Sequence, residues 1–289
     1  MKTRNKLMAV VAMAGLAGLA LVQSAWADNG GFDKNAVLTI DGMTLVTKTK
    51  APANIPGLKE IYSGWLFRTP GTQAMQTDDF SNPGMPFVDE GKAEWTKVDG
   101  TAGKSCQSCH GDIKSMTGVR AVMPKVNDKG QLWSLADYIN NCRTNRMGAT
   151  AWKIKSNPMR YMEGAISMES RGLPMNVQTD GPAAKFWKAG EKLYYTRTGM
   201  LQLSCASCHE DHYGYHIRGD HLSQGQTNGF PVYRLKSGNL TTVQNRLFGC
   251  VRDTRAESYK IGSLELHELE LYVASRGNGL SVEGIGVRP

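Results

Sequence analysis

Two pentapeptides of the same form, Cys106-Gln-Ser-Cys109-His110 and Cys205-Ala-Ser-Cys208-His209, are the residues of this chain best suited to chemistry. In Cys-x-x-Cys-His the two thiols can add across the vinyl groups of a haem while the adjoining imidazole binds the iron. Each string therefore predicts one covalently attached c-type haem, on Cys106 and Cys109 with His110 as proximal ligand, and on Cys205 and Cys208 with His209. A zinc ribbon would also use paired Cys-x-x-Cys knuckles, but it gives no reason for a histidine after each second cysteine. A thioredoxin-type dithiol needs one pair, not two with the same tail.

Such chemistry needs an exported protein, and the N-terminus supplies the signal. Lys2, Arg4 and Lys6 precede an apolar run from Leu7 to Val22, and Ala25-Trp26-Ala27 offers a small-x-small cleavage site. The run is short for a membrane span. The expectation is a signal peptide over 1–27, a mature chain starting at Asp28 that does not span a membrane, and a periplasmic location. Removing those residues takes three cations and no acid, so the net charge of +8 becomes +5 over the remaining 262 residues. That modest excess argues against nucleic acid and suits a small anion or an acidic docking surface.

The elements that must position the haems come from an internal repeat. Gly91-Lys-Ala-Glu-Trp95 lies 15 residues before the first haem cysteine, and Gly190-Glu-Lys-Leu-Tyr194 lies 15 before the second. Downstream, Ser170-Arg171-Gly172 echoes Ser275-Arg276-Gly277. In the second half Leu264, Leu266, His267, Leu269, Leu271 and Val273 include helical spacings that end near Gly277. Each half reads as an opening helix, a haem loop, an irregular region and a closing helix, the order of a small cytochrome c domain. The predicted fold is mainly α: two tandem cytochrome c-like domains with an N-terminal extension. Gln178-Thr-Asp-Gly-Pro182 is a turn-rich break, which places the first domain, with its extension, at 28–179 and the second at 180–289. Val37-Leu-Thr-Ile40 and Thr44-Leu-Val-Thr47 around Asp41-Gly42 have the form of a small hairpin, in an extension expected to pack on the first domain.

The sixth iron ligand separates electron carriers from catalysts. Met123-Pro124 has the form of a simple cytochrome ligand but follows His110 by only 13 residues. His216, His221 and His267 are further options, and His212 sits too close to its haem motif. Cys142 and Cys250 are better candidates, because each falls once per repeat, after the haem motif and before the closing helix. A thiolate stabilises ferric iron and lowers its potential. The alternative is a Cys142–Cys250 disulfide, which an oxidising compartment permits. Cys250 also has Arg246, Arg252 and Arg255 within five residues, cations that favour a thiolate and offer forked donors to an oxyanion. For Arg252 and Arg255 pairing with haem propionates fits equally well, and Cys142 has its own Arg143 and Arg146.

Several strings together resemble one family. Gln76-Thr-Asp-Asp-Phe80, Asn82-Pro-Gly-Met85, His221-Leu-Ser-Gln-Gly225, Asn228-Gly-Phe-Pro231, Gly249-Cys250-Val-Arg-Asp-Thr-Arg-Ala256 and Tyr272-Val-Ala-Ser-Arg-Gly277 match SoxA, the dihaem subunit of the SoxAX cytochrome of bacterial thiosulfate oxidation. The likeness covers nearly all the mature chain. It implies an L-cysteine S-thiosulfotransferase with two covalently bound c-type haems, His110 and Cys142 on the first iron and His209 and Cys250 on the second. It further implies that Cys250 is the catalytic residue, carried as a persulfide, and that Arg246 binds thiosulfate; the chemistry of the site adds Arg218, Arg252 and Arg255 as candidate helpers. The implied partners are the monohaem subunit SoxX and the carrier SoxYZ, whose SoxY cysteine accepts thiosulfate. A dihaem electron-transfer protein without sulfur chemistry is the alternative, with Met or His expected as its ligands. A dihaem peroxidase would need one haem with an open face.

Overall fold

The computed structural model describes residues 31–217 and 219–289. The segment read as a signal peptide, and Arg218, lie outside the described residues. Among the described residues no helix is long and apolar enough to cross a membrane.

The extension forms four short strands, β1 (Leu38–Ile40), β2 (Met43–Leu45), β3 (Lys48–Lys50) and β4 (Glu60–Tyr62), and the short helix α1 (Pro70–Ala74). β1 pairs antiparallel with β2 and β3 with β4, Asp41 and Gly42 turning between the first two at positive φ. The first half then runs through α2 (Met85–Thr96), α3 (Cys106–His110), β5 (Lys125–Val126), β6 (Leu132–Trp133), α4 (Leu135–Cys142) and α5 (Asn157–Met168). The second half repeats the helical order with α6 (Ala184–Tyr195), α7 (Cys205–His209), the ribbon β7 (His216–Ile217) and β8 (Asp220–His221), β9 (Val232–Arg234), β10 (Asn239–Thr241), α8 (Val243–Asp253) and α9 (Leu264–Ser275). The chain ends in β11 (Gly286–Arg288), which runs parallel to β9, while β10 pairs antiparallel with β9 on its other edge.

The sequence repeat has a steric cause. α2 packs on α5, and α6 on α9. A Cβ on Gly91 would collide with the Tyr161 carbonyl, and one on Gly190 with the Glu268 carbonyl, so both crossings need a glycine for backbone to reach backbone. The two Ser-Arg-Gly strings also serve alike. Arg171 makes a two-pronged contact with Asp79 at 2.7 and 2.9 Å, and Arg276, fully buried, bonds Glu210.

One expectation needs correction and another is incomplete. The regions read as irregular each hold a further helix, α4 and α8, with Cys142 and Cys250 near their C-terminal ends. The signal for α4 was present, since Ser134 and Asp137 form a reciprocal capping box. The extension, for its part, packs on the first half, through Asp79 and Arg171, and docks as well on loops and the last strand of the second half. Tyr62 N–H donates to Gln224 Oε1 at 2.8 Å, Gln76 Nε2 to Glu283 Oε2 at 2.8 Å and Asn82 Nδ2 to the Ile285 carbonyl at 2.9 Å. Its apolar cluster of Leu38, Ile40, Trp65, Leu66 and Phe67 takes in Tyr213 from the same half. Glu283 is the physical reason: fully buried, it needs the donors that Gln76, Ser63 and Arg288 bring to it.

Candidate functional site: two haem crevices

Each haem motif is a single helical turn fixed at its start by serines. In α3, Ser105 accepts from Ser108 N–H at 3.1 Å and Ser108 Oγ accepts from Ser105 N–H at 3.0 Å; Ser204 and Ser207 repeat this in α7 at 3.2 Å in both directions. The turn presents two cysteines on one face with the histidine at its end. All six cysteines are free thiols, so no Cys142–Cys250 bridge forms.

The fold brings a third thiol to each pair. Cys142, from α4, lies close enough to Cys106 and Cys109 that its charge bears on the former's ionisation and the latter's on its own. Cys250, from α8, stands in the same relation to Cys205 and Cys208. Burial pushes the Cys205 thiol up to about 12, with Cys250 adding to the shift. Burial also raises Cys142, and the opposing Arg146 charge does not overcome it. The guanidinium environment therefore does not ionise Cys142; a coordinated metal would do so outright.

The histidines are prepared unequally. His209 Nδ1 lies 2.7 Å from the Ser223 carbonyl, which fixes the tautomer with its proton on Nδ1 and leaves Nε2 as the lone-pair donor. Gly225, at φ +77°, packs on the ring so closely that a Cβ would sit 3.0 Å from Cγ. Burial pulls the His209 pKa down to about 4 against that hydrogen bond, so the imidazole is neutral and fit to bind metal. His110 is exposed, with the Trp95 ring 5.8 Å away and Trp95 Nε1 donating to the Gly111 carbonyl at 3.0 Å. Two attachment thiols, one imidazole and one distant thiol per crevice fit a covalently bound haem with His/Cys axial ligation.

The other ligand options are engaged elsewhere. Met123 is buried in the first-half core. His212 Nδ1 meets the Ser207 carbonyl at 2.6 Å, and His221 Nε2 the Gly214 carbonyl at 2.8 Å with its ring stacked on His216. His267 Nε2 is 2.7 Å from Asp137 Oδ2.

The arginines divide as sequence alone could not divide them. Arg143, beside Cys142, is buried and committed: Nη2 donates to Asp99 at 2.7 Å, Nε to the Thr150 carbonyl at 3.1 Å, and the guanidinium lies 3.8 Å over the Trp152 ring. Arg246, one turn before Cys250, has no ion-pair partner among the described residues. Arg252 is exposed and bonded to its neighbour Asp253, and Arg255 is exposed at φ 57°. A residue that sequence reasoning missed joins Arg246. Arg234, on β9, is partly buried with its Nε unpartnered, and its pKa is lowered by burial and by the Arg246 charge, with Cys250 also near enough to act on it. Nothing local in the sequence marks it, because β9 and α8 meet only through the fold.

The comparisons agree with this geometry. A model of the SoxA/TsdA cytochrome c domain matches residues 90–175 and again 189–282. Over 275 residues the chain is 52% identical to the L-cysteine S-thiosulfotransferase subunit SoxA of Paracoccus pantotrophus, covering 94% of each. It is 50% identical to the protein of that name from Rhodovulum sulfidophilum over 279 residues, 93% of this chain and 97% of that one. The crystal structure of SoxXA from P. pantotrophus contains a chain that superposes with a TM-score of 0.86 at 51% identity, covering 90% of this chain and all of that one. With its two matched haem domains and near-full-length relatives, the chain belongs to the SoxA/TsdA cytochrome c family, among the SoxA subunits.

Proposed function

We propose that the chain is the catalytic dihaem subunit of an L-cysteine S-thiosulfotransferase, and that the second crevice is where the sulfur chemistry takes place. The observation that carries this is the contrast between the crevices: a thiol with two half-buried guanidinium groups outside any ion pair near it, Arg246 and Arg234, in the second, against a thiol flanked by the bonded Arg143 and by Arg146, which is exposed to solvent, in the first. Cys106, Cys109, His110 and Cys142 hold one c-type haem, and Cys205, Cys208, His209 and Cys250 the other. Bound haem supplies one-electron oxidation.

The overall reaction joins a carrier thiol to the outer sulfur of thiosulfate: one sulfur–sulfur bond forms, the thiol proton goes to solvent and two electrons leave. Arg246 is suited to hold the sulfonate, because its planar fork matches two oxygens of the anion and little else competes for it. Arg234 adds charge from the opposite element. The outer sulfur of a thiosulfate held there would couple to the sulfur on Cys250 with loss of two electrons, and attack of the carrier thiol on that outer sulfur would then release a cysteine S-thiosulfonate and return the sulfur on Cys250. The residues of the first half have the character of a relay. We further propose SoxX as the heterodimer partner, supported by the match to a chain of SoxXA from P. pantotrophus, and SoxYZ as carrier. Domain limits at 28–179 and 180–289 follow the two stretches matched by the family model, which fall on either side of residue 179. Export to the periplasm with cleavage before Asp28 completes the proposal.

Cys250→Met tests the assignment. A thioether can ligate iron but cannot form a persulfide or undergo exchange. The variant should carry both haems and exchange electrons, yet leave the mass of the carrier unchanged after incubation with thiosulfate and an electron acceptor. Modification of the carrier at the wild-type rate would make Cys250 a ligand only and favour the electron-transfer reading.

A further inference from the structure

Helices α4 and α8, which carry Cys142 and Cys250, begin at one place. Their first residues, Leu135 and Val243, line a single cavity of about 10 Å³ together with Arg120, Glu163 and Glu270. Each cysteine lies seven residues further along its helix, about 10 Å along the axis. The cavity is just large enough for one water.

Two carboxyl groups face this space, and among the described residues no cation is bonded to either. Glu270, from α9, accepts from Gln244 Nε2 of α8 at 2.9 Å. Glu163, from α5, makes no hydrogen bond among the described residues. Arg120 is buried, but its guanidinium is spent on backbone: Nη2 donates to the Thr227 carbonyl at 2.7 Å and Nε to the Phe230 carbonyl at 3.0 Å. Asp137 of α4 is held by His267 of α9 at 2.7 Å. Two carboxyl groups near one another, each desolvated by burial and bonded to no cation, cannot both ionise cheaply.

Resting on the reading of Cys142 and Cys250 as iron ligands, we propose that Glu163 and Glu270 form a redox-linked proton site shared by the two ligand helices. The pair takes one proton from solvent when the protein gains an electron from a reductant, and returns it when the electron leaves. Burial, with the Glu270 and Asp137 charges in support and Arg120 and Arg160 opposing, pushes Glu163 up to about 8. Burial also raises Glu270, against Gln244, His267 and Arg120. A unit charge change at roughly 12 Å, in an effective dielectric of about 20, alters a proton equilibrium about tenfold. The sign follows: added negative charge raises the carboxyl pKa, so reduction binds a proton.

Spectroelectrochemistry of the holoprotein over pH 6 to 10 tests this. In the wild type, at least one haem midpoint should be level below about pH 8, where the site is protonated in both redox states, and fall above it. Glu163→Gln and Glu270→Gln should each remove that slope. A second measurement needs no variant. The reduced-minus-oxidised infrared spectrum of wild type at pH 8.5 should show a gained protonated-carboxyl stretch that shifts in deuterium oxide. A pH-independent midpoint, a slope that survives both substitutions, or no carboxyl band would overturn the proposal. EPR of the same samples keeps the two readings apart. Loss of His/thiolate signals would remove the ligand assignment and the shared-helix route with it, whereas native signals with a flat midpoint would remove the proton site alone.

Discussion

The two halves use one plan and spend their arginines differently. Both have the glycine-mediated crossing of opening and closing helices, the serine-capped haem turn, and a cysteine seven residues into a helix that starts at the shared cavity. In the first half Arg143 closes a structural network with Asp99, Thr150 and Trp152. In the second the corresponding thiol faces Arg246 and Arg234, neither of them in an ion pair among the described residues. The proximal histidines differ in the same sense, His209 being enclosed and oriented and His110 exposed. On the proposed reading, a duplicated cofactor site takes a substrate role where half-buried cations are left uncommitted beside the thiol, and stays a relay where they are bonded away, as Arg143 is, or exposed to solvent, as Arg146 is.

The strongest way to break this contrast is to exchange arginine for lysine in both places. Arg246→Lys keeps the charge and loses the planar fork, so thiosulfate turnover should fall by about tenfold or more with a native haem spectrum. Arg143→Lys should do the reverse, leaving turnover within about twofold while lowering the melting temperature, chiefly because the buried guanidinium loses its stacking on Trp152. Carrier mass spectrometry and thermal melts read the two effects. Equal loss of turnover in both variants would erase the distinction between the halves.

Cys142→Met sharpens it. The variant should retain both covalent haems, raise the midpoint of one because a neutral thioether stabilises ferric iron less than a thiolate, and keep part of the thiosulfate activity. An unaltered spectrum and midpoint would show that Cys142 does not bind iron. Activity as low as that of Cys250→Met would make the first haem more than a relay.

The smallest effect concerns acid. The hydrogen bond from Arg143, with the Gly100 N–H in support, holds the Asp99 carboxyl below its usual range. For a carboxyl depressed on folding, the stabilisation is present above the unfolded pKa of about 3.9 and is lost as pH falls through the lower folded value. Asp99→Asn should therefore lower the melting temperature slightly at neutral pH and flatten its dependence below pH 4. As Asp99 is close to fully solvated, the change should be no more than a few degrees. A pH profile identical to the wild type would mean that Arg143 is held by Thr150 and Trp152 alone.

Much of the site was legible because haem attachment is local chemistry. The pentapeptide must supply two thiols and an imidazole on one turn, so Cys106, Cys109, His110, Cys205, Cys208 and His209 could be assigned from spacing alone. Cys142 and Cys250 stood out because duplication put one in each half, and the Gly249–Ala256 string specified the family. The helices carrying them were missed. Their signals were present: both are short amphipathic helices, and α4 opens on the reciprocal Ser134–Asp137 cap.

What the sequence determined by itself was therefore the chemistry that covalent spacing dictates: two haem-attachment motifs, the repeat that holds them and the family. The tertiary structure decided which cations remain available. Arg143 and Arg246 stand in similar local settings, each near an axial cysteine candidate, and only the fold brings Asp99 and Trp152 to the one and Arg234 to the other. It also decided that the extension docks on the second half and that α4 and α8 both start at one cavity lined by Glu163 and Glu270. A charge's role depends on its neighbours in space. For Arg143 and Arg246 those neighbours come from segments tens of residues away or on another strand, which no local pattern can record.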